Sequence, residues 1–131
     1  MAGDGQCGTI LLVDDNADIR ALAKMFLENA GYAVAMAADG AEGLRFYREN
    51  QSSIMLLLTD ITMPNMNGLE LARRVLGIDS RLPVLVMSGG ACGAPEGLEW
   101  IAKPFRPLEL IERVALALNA RAQEERAVSA A

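Results

Sequence analysis

The chain has 131 residues, 52% hydrophobic and 22% charged, with a formal net charge of −5 and no histidine. That length suits one domain with a real core, and the acidic balance argues against nucleic acid as a direct partner, because phosphate contact demands a basic patch. Without histidine, Ser-His-Asp and Cys-His catalysis and His-containing zinc sites are excluded, and the chain cannot itself carry a phosphohistidine.

Carboxylates, hydroxyls, lysine and a hard metal ion are left to carry any chemistry. Cys7 and Cys92 match no metal-ligand spacing and read as reduced thiols. No apolar run reaches bilayer length, and "MAGDGQCG" lacks the basic and apolar stretches of a signal peptide. A cytoplasmic location with no direct membrane partner is the expectation.

In chain order, "TILLVDD" (9–15) is a short apolar β-rich run that ends in acid. A helix follows in which Ile19, Leu22, Ala23, Phe26, Leu27 and Ala30 keep helical spacing, with Gly31 as its stop. "YAVAMA" (32–37) is a second strand, after which Asp39 as N-cap and Glu42 three residues on form a capping-box variant. "SIMLLLTD" (53–60) is nearly all apolar, as a central strand buried on both faces must be. A third helix starts at about Asn67 and carries Leu69, Ala72, Val75 and Leu76 on one side. "LPVLVMS" (82–88) and "LEWIA" (98–102) complete the strands. Pro107 opens a last helix with a stripe of Leu108, Ile111, Ala115 and Leu118, and residues 121–131 read as a frayed polar tail or linker remnant.

Alternating strands and helices with apolar central strands predict a parallel sheet covered by helices on both faces. Ligands of such sheets sit at the carboxyl ends of the strands. Here those ends carry Asp14 and Asp15, then Asp60, then Ser88, then Lys103. Three gathered carboxylates repel unless a cation or shared protons offset them, and Mg²⁺ is the natural candidate. Asp15 and Asp60 would be direct ligands, the backbone carbonyl of Thr62 a third, and Asp14 a partner through water. A carboxylate can also attack phosphorus, and Mg²⁺, Lys103 and the Ser88 hydroxyl would then supply charge and donors to the phosphoryl oxygens. Each motif alone reads as a turn or a cap; their joint occurrence in this order, each at a strand end, makes the constellation.

The set "LLVDDN" (11–16), "LLLTDITMPNMNG" (56–68), "VLVMSG" (84–89) and "IAKPF" (101–105) resembles the receiver domain of two-component response regulators over about residues 8 to 120. The resemblance implies a single domain spanning 1–131, a three-layer α/β sandwich with a five-stranded parallel sheet, (βα)₅, flavodoxin-like and CheY-like. It implies a phosphoacceptor at Asp60, served by the phosphohistidine of a sensor histidine kinase or a phosphotransfer protein. Asp14 and Asp15 match the rest of the acidic pocket, Ser88 and Lys103 the phosphate-contacting pair. A cis Lys103–Pro104 bond is also implied, a form open to X-Pro bonds. Trp100, three residues before the lysine, occupies the position of an aromatic switch that moves with Ser88. The "LLLTDITMP" and "KPF" wording is similar to receivers attached to hybrid histidine kinases. No effector domain follows within the sequence, so output through an unidentified protein partner is expected, and homodimerisation is left open.

The chain departs from the family between Ser88 and Lys103, where only fourteen residues intervene and "GGACGAPEG" is a poor helix former. The fourth helix of the family is therefore expected to be absent or a single turn. Thr62 and Gly90 stand where the family tunes attack of water on the aspartyl phosphate, and neither carries a charge to orient that water, so fast autodephosphorylation is not expected. Competing readings are an aspartyl phosphohydrolase, which would place an acid where Thr62 stands; a pseudo-receiver that takes no phosphate; and a flavodoxin-like nucleotide binder, which would need a glycine-rich phosphate loop after the first strand.

Overall fold

The computed structural model describes residues 8–89 and 98–130, with side chains described as far as Arg121. Five parallel strands, β1 (Thr9–Val13), β2 (Ala33–Ala37), β3 (Ile54–Asp60), β4 (Val84–Ser88) and β5 (Glu99–Ala102), form one sheet in the order β2-β1-β3-β4-β5. Among the described residues there are four α-helices: α1 (Ala17–Asn29), α2 (Gly40–Glu49), α3 (Gly68–Ile78) and α4 (Pro107–Ala130). Parallel neighbours demand crossovers, and the helices α1, α2 and α3 supply them between successive strands. Strand order reverses between β1 and β3, which opens a crevice at their carboxyl ends.

The period-2 alternation of the strands builds two cores. Leu11, Val13, Leu57, Val84 and Val86 face α2 and α3, together with Leu44, Leu71 and Val75. Ile10, Leu12, Leu56, Leu58, Leu85, Met87 and Ile101 face α1 and α4, together with Ala23, Leu27, Leu110 and Val114. The expected three-layer sandwich is thus present. β1, β3 and β4 are buried on both faces, which explains their continuous apolar runs, whereas the edge strands β2 and β5 are mixed.

The helix starts follow the predicted chemistry. Asp39 Oδ1 accepts the Glu42 N–H at 2.8 Å while Glu42 Oε1 accepts the Ala38 N–H at 2.7 Å, a reciprocal cap. Asn67 caps α3 through the Glu70 N–H at 2.9 Å, and Gly31 ends α1 with φ +100°.

Two expectations are corrected. Of the expected core face of α4, Leu108, Ile111, Ala115 and Leu118, the last alone packs on the core cluster: Leu110 and Val114 are fully buried, Ala117 and Leu118 pack beside them, and Leu108 is 73% exposed. The true stripe lies about a quarter turn away. Glu109, Glu112 and Arg113 lie within about 100° of one another around this helix and give it a charged side; the expected stripe lies off the face that docks against Ile101 and Met87. The helix also continues to Ala130, through the stretch expected to be a frayed tail, in keeping with its content of Ala, Arg, Gln and Glu, all strong helix formers. The anticipated loss of the fourth helix of the family concerns residues 90–97, which lie outside the described residues.

Truncating the buried stripe should therefore cost more than truncating the expected one. Leu110→Ala is predicted to lower unfolding free energy by about 2–5 kcal/mol and Leu108→Ala by less than about 0.5 kcal/mol. Urea denaturation checks the pair; equal losses would refute the assigned face.

Candidate functional site

The sheet brings five chemically active residues to one edge. Asp14 and Asp15 follow the last residue of β1, Asp60 ends β3, Ser88 ends β4, and Lys103 follows the last residue of β5. Asp14 is fully buried, Asp60 and Ser88 are nearly so, and Asp15 and Thr62 face solvent.

Lys103 ties the edge together. Its Nζ lies 2.8 Å from Asp14 Oδ2 and 3.2 Å from Asp60 Oδ1. The Lys103 backbone N–H donates to the Ser88 carbonyl at 2.8 Å, which fixes the lysine beside the end of β4. The Lys103–Pro104 bond is cis, as the sequence resemblance implies. Asp14 is held from its other side: Oδ1 accepts the Asn16 N–H at 2.9 Å, and Arg20 Nη1 donates to the Asp14 carbonyl at 2.7 Å.

Asp14, Asp15 and Asp60 each offer a carboxylate oxygen, and these oxygens lie within 4.8 Å of one another. One ammonium does not neutralise three carboxylates. Burial pushes the Asp60 carboxyl above its ordinary range; Lys103 opposes the shift, and the neighbouring charges of Asp14 and Asp15 add to it. Burial also works against the Lys103 ammonium, but its hydrogen bond to Asp14 and the charges of Asp14 and Asp60 outweigh that cost and hold it above the ordinary lysine value. Compact, anionic, all-oxygen and open on the Asp15 side, this donor set fits a small hard divalent cation.

Of the residues singled out in the sequence, Asp14, Asp60 and Lys103 are in direct contact, Asp15 completes the acid cluster, Ser88 ends the adjoining strand β4, and Thr62 lies in the loop two residues after β3. Trp100 is not part of the cluster. It sits in β5 opposite Val86, partly buried against the α2/α3 core, and its carbonyl accepts Arg113 Nη1 at 2.9 Å. Gly90 lies outside the described residues.

Sequence reasoning missed Asn16, Arg20 and Gly68. Asn16 serves twice, supporting Asp14 through its N–H and capping α1 through its side chain, which accepts the Asp18 and Ile19 N–H groups. At Gly68 a Cβ would run into the backbone carbonyl of Asp60. Only glycine lets the first turn of α3 press against that strand end, where its N–H also donates to the Ile61 carbonyl at 2.8 Å. The signal was a glycine directly after an Asn cap; contact with Asp60 is a tertiary fact.

A family model described as the response regulator receiver domain matches residues 10–115. The chain belongs to the receiver domain family. Receivers of this family are signalling domains that work with histidine kinases or phosphotransfer proteins. The response regulator receiver protein CpdR of Brucella abortus (strain 2308) is 37% identical over 112 residues, covering 80% of this chain and 92% of that one. The response regulator GtcR of Aneurinibacillus migulanus is 33% identical over 135 residues, covering 92% of this chain but only 53% of GtcR. This receiver thus spans nearly all of one relative and about half of another. The crystal structure of the receiver domain from the hybrid histidine kinase CckA superposes with a TM-score of 0.76 at 36% identity, covering 85% of this chain and 99% of that one.

The electrostatics of the acid cluster make a prediction. A buried carboxyl whose folded pKa is raised disfavours folding when ionised; the cost is complete above the folded pKa and vanishes below the ordinary value of 3.8. Asp60→Asn should melt roughly 2–5 °C above wild type in magnesium-free buffer near neutral pH. That advantage should fade as pH falls below about 4. Calorimetric scans giving no difference at neutral pH would contradict the assignment.

Proposed function

We propose that this receiver accepts a phosphoryl group on Asp60 from the phosphohistidine of a sensor histidine kinase or a phosphotransfer protein. The observation that carries this reading is the Lys103 ammonium bridging Asp14 and Asp60 beside an acid cluster suited to Mg²⁺. Asp15, Asp60 and the Thr62 backbone carbonyl would ligate the ion, with Asp14 acting through water. When bound, Mg²⁺ supplies charge that offsets the cluster and the incoming phosphoryl oxygens.

In the transfer, an Asp60 carboxylate oxygen forms a bond to phosphorus as the P–N bond to the donor imidazole breaks. Lys103 already faces Asp60 Oδ1 at 3.2 Å and remains anchored by Asp14, so its ammonium can follow the new phosphoryl without a search for position. The Ser88 hydroxyl supplies a donor from the adjoining strand end. The domain would work in the cytoplasm as one unit centred on residues 8–120, assist only its own phosphorylation and hydrolysis, and pass its signal to a protein partner. Trp100 would respond as the switch aromatic, because the strand that carries it ends one residue before Lys103.

Incubation with Mg²⁺ and a small phosphodonor should add one phosphoryl to the intact mass, abolished in Asp60→Asn and sharply reduced without Mg²⁺. No adduct would favour a pseudo-receiver, and sustained multiple turnover a hydrolase. The fluorescence of Trp100, the sole tryptophan, is expected to change on adding Mg²⁺ with beryllofluoride; an unchanged spectrum would remove its switch role.

A further inference from the structure

The segment between β3 and α3, residues 61–67, carries Thr62, whose carbonyl the proposed metal site needs. Its base is pinned twice. The Ile61 N–H donates to the Met87 carbonyl at 3.1 Å, and the Gly68 N–H closes back on the Ile61 carbonyl at 2.8 Å. Between these anchors Met63 is buried in the core, and the far side makes a tight bend. There Asn65 adopts φ +70°, a left-handed conformation that asparagine tolerates, and the Met66 N–H donates to the Pro64 carbonyl at 2.9 Å.

The far side of this bend rests on Gly40, the buried first residue of α2. A Cβ built at Gly40 would stand 2.6 Å from the Met66 carbonyl oxygen, 2.9 Å from Met66 Cβ and 3.1 Å from its Cγ. All three distances fall inside the roughly 3.5 Å of a comfortable contact. The nearest atom is backbone, so turning a side chain cannot relieve the overlap. The conformation of Gly40 itself needs no glycine, since it is helical with no positive φ. What glycine provides at this position is room for the neighbouring loop.

We propose that Gly40 is a positioning residue for the metal site: by admitting the Met66 carbonyl to the start of α2, it sets the height of loop 61–67 and so the placement of the Thr62 carbonyl. The proposal rests on the reading of Asp15, Asp60 and Thr62 as the Mg²⁺ ligands. Adding one methyl at residue 40 must push Met66 away from α2. With Ile61 and Gly68 hydrogen-bonded at the base, the displacement is absorbed between them, where Thr62 lies.

The same chain contains a control. Gly77 in α3 has no atom within 4 Å of a Cβ built on it, so Gly77→Ala adds a methyl with no displacement. It should raise the melting temperature, as alanine for glycine within a helix normally does, and leave metal binding unchanged.

The experiment is a MgCl₂ titration of the full chain, followed by ¹⁵N amide shifts, on wild type, Gly40→Ala and Gly77→Ala. Supporting a tuned ligand shell, Gly40→Ala should bind Mg²⁺ roughly tenfold or more weakly while retaining a folded spectrum. Wild-type affinity in Gly40→Ala would overturn the proposal even if its melting temperature fell, because a purely structural glycine alters stability and not the affinity of the folded form. A wild type whose amides around Asp15 and Asp60 ignore Mg²⁺ would instead defeat the underlying metal reading. Should Gly40→Ala not fold, the same substitution is made in Met66→Gly, where the Cβ and Cγ overlaps vanish and the carbonyl overlap remains. Weaker binding than Met66→Gly alone supports the proposal, and equal binding overturns it.

Discussion

Three carboxylates that would rather be apart are the constraint around which this molecule is arranged. Asp14 and Asp60 lie buried beside each other with Asp15 at the rim, and the attraction offsetting them within the described residues is concentrated in one ammonium, Lys103. A buried ion pair is a weak source of stability, because desolvation consumes most of its Coulombic gain. The arrangement makes physical sense as a site with excess negative charge, suited to a small hard cation.

Holding such a site together requires a rigid scaffold, and the doubly covered sheet provides one. Asp60 ends, and Asp14 directly follows, a strand buried on both faces, so the backbone that presents each of them cannot relax away from its neighbours. Local devices then refine the placement. Asn16 and Arg20 grip Asp14 from the start of α1, and Gly68 lets α3 abut the Asp60 carbonyl. Gly40 does for the loop after β3 what Gly68 does for the strand end. In both cases the missing side chain matters because of what it admits.

Trp100 and the acid edge are held in different ways. The acid edge is built from main-chain hydrogen bonds and close approaches, with little slack. Trp100 is anchored differently, by its carbonyl to Arg113 of α4 and by its ring, partly buried, to the α2/α3 core. Any change that moves Lys103 pulls on the same short strand, β5, and therefore on the helix fastened to it.

Fold class and candidate acceptor chemistry were legible from the amino-acid order alone. Apolar runs ending in Asp14, Asp15, Asp60 and Ser88 are a local signal, since burial on both faces dictates β1, β3 and β4 residue by residue. The absence of histidine narrowed the remaining chemistry to oxygen and lysine. Which face of α4 enters the core became clear in the packed molecule: Leu110 and Val114 dock with Ile101 and Met87, on the side away from Glu109 and Glu112. The roles of Gly40 and Gly68 were invisible in one dimension. A glycine required by its own φ can be guessed from a turn, whereas one required by a neighbour's carbonyl depends on where a distant segment of chain arrives.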